Sequence, residues 1–156
     1  MIAEETITAA APETFDQAFT LRLATPDDRC ALLAMYLSFE PKGACLGLPP
    51  RKEPQLWLDN LSIFPNFVVE VDNRIVAHAA LCDDGEAGEV AVFVHQDFRG
   101  RRFGKILLSA LVDEARRKRL KKIWGMTDLD NVPMLRLARS LGFSPCADPR
   151  EFFLTL

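Results

Sequence analysis

The chain has 156 residues, of which 49% are hydrophobic and 26% charged, with 8 Gly and 10 Pro. This composition excludes fibrous, collagenous and wholly disordered chains, and the length favours one compact domain. The formal charge of −3 hides a segregation: residues 95–122 carry 10 basic against 3 acidic side chains, whereas residues 1–94 carry 6 against 15. A cationic block inside an acidic chain points to a small anionic ligand or a basic helix face more than to a whole-protein affinity for nucleic acid.

The amino terminus, Met1-Ile2-Ala3-Glu4-Glu5, is acidic where a secretory signal would be basic. No stretch approaches the roughly 18 apolar residues of a membrane span, so a cytoplasmic protein without a membrane partner is expected. Cys30, Cys45, Cys82 and Cys146 form no CxxC pair, which reads as reduced thiols instead of a metal or redox site.

Residues 1–19 show little periodicity and read as a mobile tail, leaving a domain at 20–156. Leu21–Leu23 reads as a strand. Thr25 suits an N-cap, Pro26 the first helical position, and Asp27 and Asp28 the positive end of the helix dipole, so a helix is predicted from about Pro26 to Tyr36. The Pro- and Gly-rich stretch from Phe39 to Pro54 is either a lid over a site or an ordinary connector. A short helix at Gln55–Leu61 follows. Phe67–Val71 and Arg74–Leu81, joined by Asp72-Asn73, predict a hairpin, and Glu89–Val94 a further strand. Leu108, Leu111, Val112 and Ala115 have helical spacing within Phe103–Leu120. A strand at Ile123–Thr127, a helix at Pro133–Leu141 stopped by Gly142, and a last strand at Glu151–Leu156 complete an α/β fold of the α+β type, one mixed sheet with helices packed on it.

Gln96–Lys105 lies between a strand and an amphipathic helix, the arrangement in which unpaired backbone N–H groups of a first helical turn converge on phosphate. Gly100 and Gly104 allow close backbone approach, and Arg99, Arg101, Arg102 and Lys105 supply positive charge. A Walker A loop is excluded, because Lys105 is followed by Ile106, and the dinucleotide fingerprint GxGxxG is absent. His78 reads as a structural imidazole. His95 is either a ligand contact or a solvent-facing loop residue. Asp83, Asp84 and Glu86 are too few to hold a metal, and none is expected. The run Arg116–Lys122 complements a helix C-terminus.

Arg99-Gly100-Arg101-Arg102-Phe103-Gly104 resembles the Arg/Gln-x-x-Gly-x-Gly/Ala motif of the GNAT superfamily of N-acetyltransferases, matching at Arg99 and Gly104, with Arg102 where the family usually has its first motif glycine. Asn131-Val132-Pro133-Met134-Leu135 and Leu141-Gly142-Phe143 extend the likeness over residues 20–156. The details look most like the bacterial protein lysine acetyltransferases. The resemblance implies a mostly antiparallel mixed sheet whose fourth and fifth strands, at Glu89–Val94 and Ile123–Thr127, splay apart. It implies acetyl-CoA as co-substrate, with Val92, Phe93 and Val94 offering backbone groups to the pantetheine arm. Residues Arg99 to Lys105, including Phe103, would hold the pyrophosphate, and Asn131 would position the cofactor or the reacting groups. Glu89 occupies the place of the relatives' catalytic glutamate, although a Glu at a strand start is also ordinarily solvated. Ala138 stands where many relatives carry a tyrosine acid, and the one tyrosine is Tyr36. The expected acceptor is an amine, either a protein lysine or a small molecule. A non-catalytic CoA-sensing module is the alternative, nucleic acid is not the expected partner, and a homodimer is left open.

Overall fold

Alternating apolar and β-branched residues build an antiparallel run of four strands, β1 (Thr20–Leu23), β2 (Asn66–Val71), β3 (Arg74–Asp83) and β4 (Ala87–Val94). Asp72 and Asn73 both take positive φ, 48° and 60°, the two-residue turn that matches the twist of a hairpin. β5 (Lys122–Met126) joins β4 in parallel, and β7 (Glu151–Thr155) and β6 (Ser144–Pro145) extend the sheet in the order β1-β2-β3-β4-β5-β7-β6. The structure is a computed structural model that describes residues 17–156. Most of the expected tail lies outside that range; Phe19 is buried, its ring meeting Phe103 edge-on at 5.3 Å.

One turn of 3-10 helix at Pro26–Asp28 leads into α1 (Arg29–Ser38), tightened by the Asp28 carboxylate, which accepts the Thr25 N–H at 2.8 Å and pairs with Arg22. α1 and α2 (Pro54–Leu61) cover one face of the sheet through Leu32, Met35, Tyr36, Leu58 and Phe93. α3 (Phe103–Arg117) and α4 (Val132–Ser140) cover the other, where Leu107, Leu108, Leu111 and Ile123 are fully buried. α3 ends with the Leu120 N–H on the Ala115 carbonyl and the Arg119 N–H on that of Arg116, each at 3.0 Å. The basic run beyond it is largely paired: Arg117 with Glu114, Lys118 with Asp83 and Lys121 with Glu86.

β4 and β5 pair only where Ala87–Glu89 face Lys122–Trp124; beyond that point the strands part. Gly125 marks the divergence, because a Cβ there would lie 2.6 Å from the Phe152 ring and 3.0 Å from Val90. Phe152 and Val90 thus fill the vertex, and only glycine fits beside them.

Candidate active site

The parted strands leave an open cleft of about 960 Å³, within the range of small-molecule sites. Val92, Phe93 and Val94 form one wall; Asp128, Asn131 and α4 form the other. Gly100 and the start of α3 close one end, and the segment Phe39–Pro49 roofs it. All the residues expected to bind cofactor line this cleft except Arg101, and Glu89 is not among the lining residues.

Gly100 and Arg102 both adopt left-handed backbone, with φ of 77° and 64°. Arg102 therefore keeps the turn for which the related motif uses glycine, at a cost of about 1–2 kcal/mol. The helical hydrogen bonding of α3 begins at the Arg102 carbonyl, which accepts the Ile106 N–H at 3.1 Å. The amides of Phe103, Gly104 and Lys105 precede it in the first turn, where no intrahelical acceptor exists. Gly104 sits close against α4, since an added Cβ would approach Leu137 to 3.3 Å. Arg102 and Lys105 are exposed on the cleft and make no side-chain hydrogen bond or ion pair among the described residues.

The other two cations are engaged elsewhere. Arg99 donates from Nε to the Val94 carbonyl at 3.0 Å and from Nη2 to the Glu40 carbonyl at 2.8 Å, with its guanidinium 5.2 Å above Phe39. Arg101 stacks over Phe98 at 4.9 Å and donates to Gln17 Oε1, outside the cleft. The expectation of four cations around a phosphate becomes two facing the cleft, one tied to its wall and one turned away.

The roofing segment, predicted as lid or connector, is a strap tied to both walls. On the β4 side, Gln96 Oε1 accepts the Glu40 N–H at 2.9 Å, and Gln96 Nε2 donates to the Ser38 carbonyl at 2.7 Å. On the β5 side, the Leu46 N–H donates to Asp128 Oδ2 at 3.0 Å, and Cys45 Sγ lies 3.2 Å from Thr127 Oγ1. Asn131 caps α4, its Oδ1 accepting the Met134 N–H at 3.4 Å while Nδ2 donates to Thr127 Oγ1 at 2.9 Å. Sequence reasoning missed Gln96, Cys45 and Thr127 as strap anchors, because their partners lie more than 50 residues away along the chain.

Glu89 stands at the vertex, opposite Cys82 and beside Trp124, on the sheet face shared by Ala91 and Phe93. Its side chain is exposed, and partial burial lifts its carboxyl above the ordinary range. Tyr36 is fully enclosed and cannot serve as an acid: Asn66 Nδ2 donates to the Leu61 and Phe64 carbonyls, so its Oδ1 accepts from His78 Nε2 at 2.6 Å. His78 Nδ1 then accepts the Tyr36 hydroxyl at 2.6 Å. Burial lowers the His78 pKa to about 4 and holds the ring neutral, which fits the structural role expected of it. His95 is buried too, its Nδ1 accepting the Asp97 N–H at 3.3 Å and its Nε2 lying 3.0 Å from Ser38 Oγ; it is neither solvent-facing nor on the cleft. Ala138 is buried, and no tyrosine among the described residues lines the cleft.

A parallel strand pair that parts over a helix N-terminus with free amides and two free cations defines a protein shaped for an elongated, phosphate-bearing ligand. Residues 20–143 match the acetyltransferase (GNAT) family. The chain belongs to that family, whose members are acetyl-CoA-dependent N-acetyltransferases. Among curated relatives it is 33% identical over 111 residues to an amino-acid acetyltransferase of Pasteurella multocida, covering 69% of this chain and 24% of that one. A protein of the same name from Yersinia pseudotuberculosis is 32% identical over 72% of this chain and 25% of its own. The chain thus spans about a quarter of the length of these relatives. Among solved structures, yncA of Salmonella typhimurium with its cofactor acetyl-CoA superposes with a TM-score of 0.74 at 25% identity, over 88% of this chain and 94% of that one. The GNAT domain of S. lividans PAT has the same fold, with a TM-score of 0.74 at 16% identity, over 88% and 90% of the two chains.

Proposed function

We propose that the chain transfers the acetyl group of acetyl-CoA to the primary amine of a small molecule, with Glu89 as general base. The observation that carries this reading is the cleft itself, in which the free amides of Phe103–Lys105 and the unpaired Arg102 and Lys105 stand at one end of an unzipped β4 edge. A pyrophosphate on those groups would let an attached pantetheine arm run along Val92–Val94 toward the vertex. An amine of pKa about 10.4 is neutral in only about one molecule in 2500 at pH 7, a handicap of roughly 4.6 kcal/mol, so a base at the vertex matters. Glu89 takes the ammonium proton through water, the amine nitrogen attacks the thioester carbonyl, and the thiolate leaves as the amide forms. Its raised pKa brings it nearer the operating pH, which suits that role.

The small-molecule acceptor is supported by the strap, tied at both ends across the cleft. A protein lysine, suggested by the likeness of the sequence to bacterial lysine acetyltransferases, has the same amine chemistry and is the second reading. Incubation with labelled acetyl-CoA, a panel of amines and a protein pool separates them. Label in small amines is expected; label confined to protein lysines overturns the acceptor class, and no label in either overturns the activity. Glu89→Gln is expected to lower turnover by about 10²-fold while CoA affinity stays unchanged.

A further inference from the structure

One stretch of the sheet is covered by neither helix pair. Ile123 packs in the core beneath α3, so Lys122, Trp124 and Met126 face the opposite way along β5. The strand register carries that face sideways: Cys82 lies opposite Glu89, Glu89 beside Trp124, Trp124 opposite Phe153, and Met126 opposite Glu151. The core under α1 and α2 reaches only to Ala91 and Phe93 of β4. Trp124, Met126 and Phe153 are half-buried and belong to neither core.

We propose that this strip is the acceptor platform, and that it selects primary amines with an aryl or long alkyl body and no carboxylate beside the nitrogen. The proposal deepens the function assigned above and rests on Glu89 as the base. Three features of the strip argue for that class. Its rings already hold an ammonium, because Lys122 Nζ lies 5.0 Å from the centroid of Phe153; an aromatic face attracts a cation through its quadrupole. Its two carboxylates, Glu89 beside Trp124 and Glu151 opposite Met126, outnumber the single ammonium of Lys122, so the strip as a whole attracts an ammonium and repels an acid. The strip also continues directly from Glu89, so an amine presented there can lay its body across Trp124 and Phe153. A short polar amine would leave those rings wet, and an α-amino acid would bring its carboxylate against two others.

The test reads binding apart from turnover. The indole N–H resonance of Trp124, identified by its loss in Trp124→Phe, is followed in CoA-loaded protein during titration with phenethylamine, phenylalanine and ethylamine. A saturable shift is expected with phenethylamine at low millimolar concentration, with the other two at least about tenfold weaker. Phe153→Leu, which keeps an apolar side chain, is expected to weaken phenethylamine by about fivefold to tenfold without changing CoA affinity. An unmoved Trp124 resonance, or equal response to all three ligands, overturns the platform. So does a dimer in sedimentation whose interface buries Trp124, since a second copy of the chain would then own the strip. If no amine is acetylated yet the resonance shifts as expected, the activity reading fails and the acceptor role falls with it, while the selectivity of the strip for such amines stands.

Discussion

The two ends of the cleft are built on different principles. The end that faces the start of α3 is local: Gly100, Arg102, Gly104 and Lys105 lie within six residues, and one turn of backbone aims their groups into the same space. The end that faces the strap and the vertex is assembled from distant pieces, with Cys45 meeting Thr127, Glu40 meeting Gln96, and Glu89 meeting Trp124 across a strand pair. A local site can be recognised by charge and turn residues alone. An assembled one has no signature until the chain is folded, and the identity of the acceptor resides there.

The two faces of the sheet differ as well, and the α1 side is the more vulnerable to acid. His78, neutral with a native pKa of about 4, sits under α1 with Tyr36 and Asn66 as its partners. The unfolded chain takes up a proton near pH 6.5, so stability is full above that value and falls as pH drops toward 4, by about 3 kcal/mol in all. Denaturant melts across this window are expected to show the loss, with His78→Asn flattening the slope. Hydrogen exchange should show α1 opening before α3; simultaneous opening would deny that the two faces differ.

The loop cations give the next largest effect. Arg102→Ala is expected to weaken CoA by about tenfold, the worth of one charge-assisted contact, as measured by calorimetry. Arg99→Ala, whose donors are taken by the Val94 and Glu40 carbonyls, is expected to change CoA affinity by less than about twofold and to make the strap more sensitive to protease. Equal losses in the two variants would return Arg99 to the phosphate. The smallest effect is thermodynamic: Arg102→Gly removes a side chain from left-handed backbone and is expected to raise stability by about 1 kcal/mol in urea melts, although it too loses the cation.

Most of the fold was legible because its signals are periodic or local. The Asp72-Asn73 turn, the α3 spacing and the strand expected at Ile123–Thr127, found at Lys122–Met126, each follow from a few adjacent residues. β6 was not legible, since Ser144-Pro145 has no apolar alternation and exists only by pairing with Phe152 and Phe153. The 3-10 turn at Gln96–Phe98 depends on His95, whose ring accepts the Asp97 N–H and whose burial between Phe39 and Phe98 comes from packing. Phe19 joined the core for a similar reason, by meeting Phe103 far along the chain. In the site, the count of positive charges was readable and their directions were not: Arg99 and Arg101 look the same in sequence as Arg102, and only the neighbouring carbonyls and the Phe98 ring distinguish them.

The claim on which the rest depends is that the first turn of α3 grips the pyrophosphate of acetyl-CoA beside the parted strands. Calorimetric titration of wild-type protein with CoA tests it most directly, paired with Gly104→Val, which thrusts a branched side chain toward Leu137 and Val94. Saturable binding at micromolar concentration, weakened by about 10²-fold in the variant while its melting transition remains cooperative, is the expected result. Absence of heat up to millimolar CoA, or equal affinity in the folded variant, would contradict it.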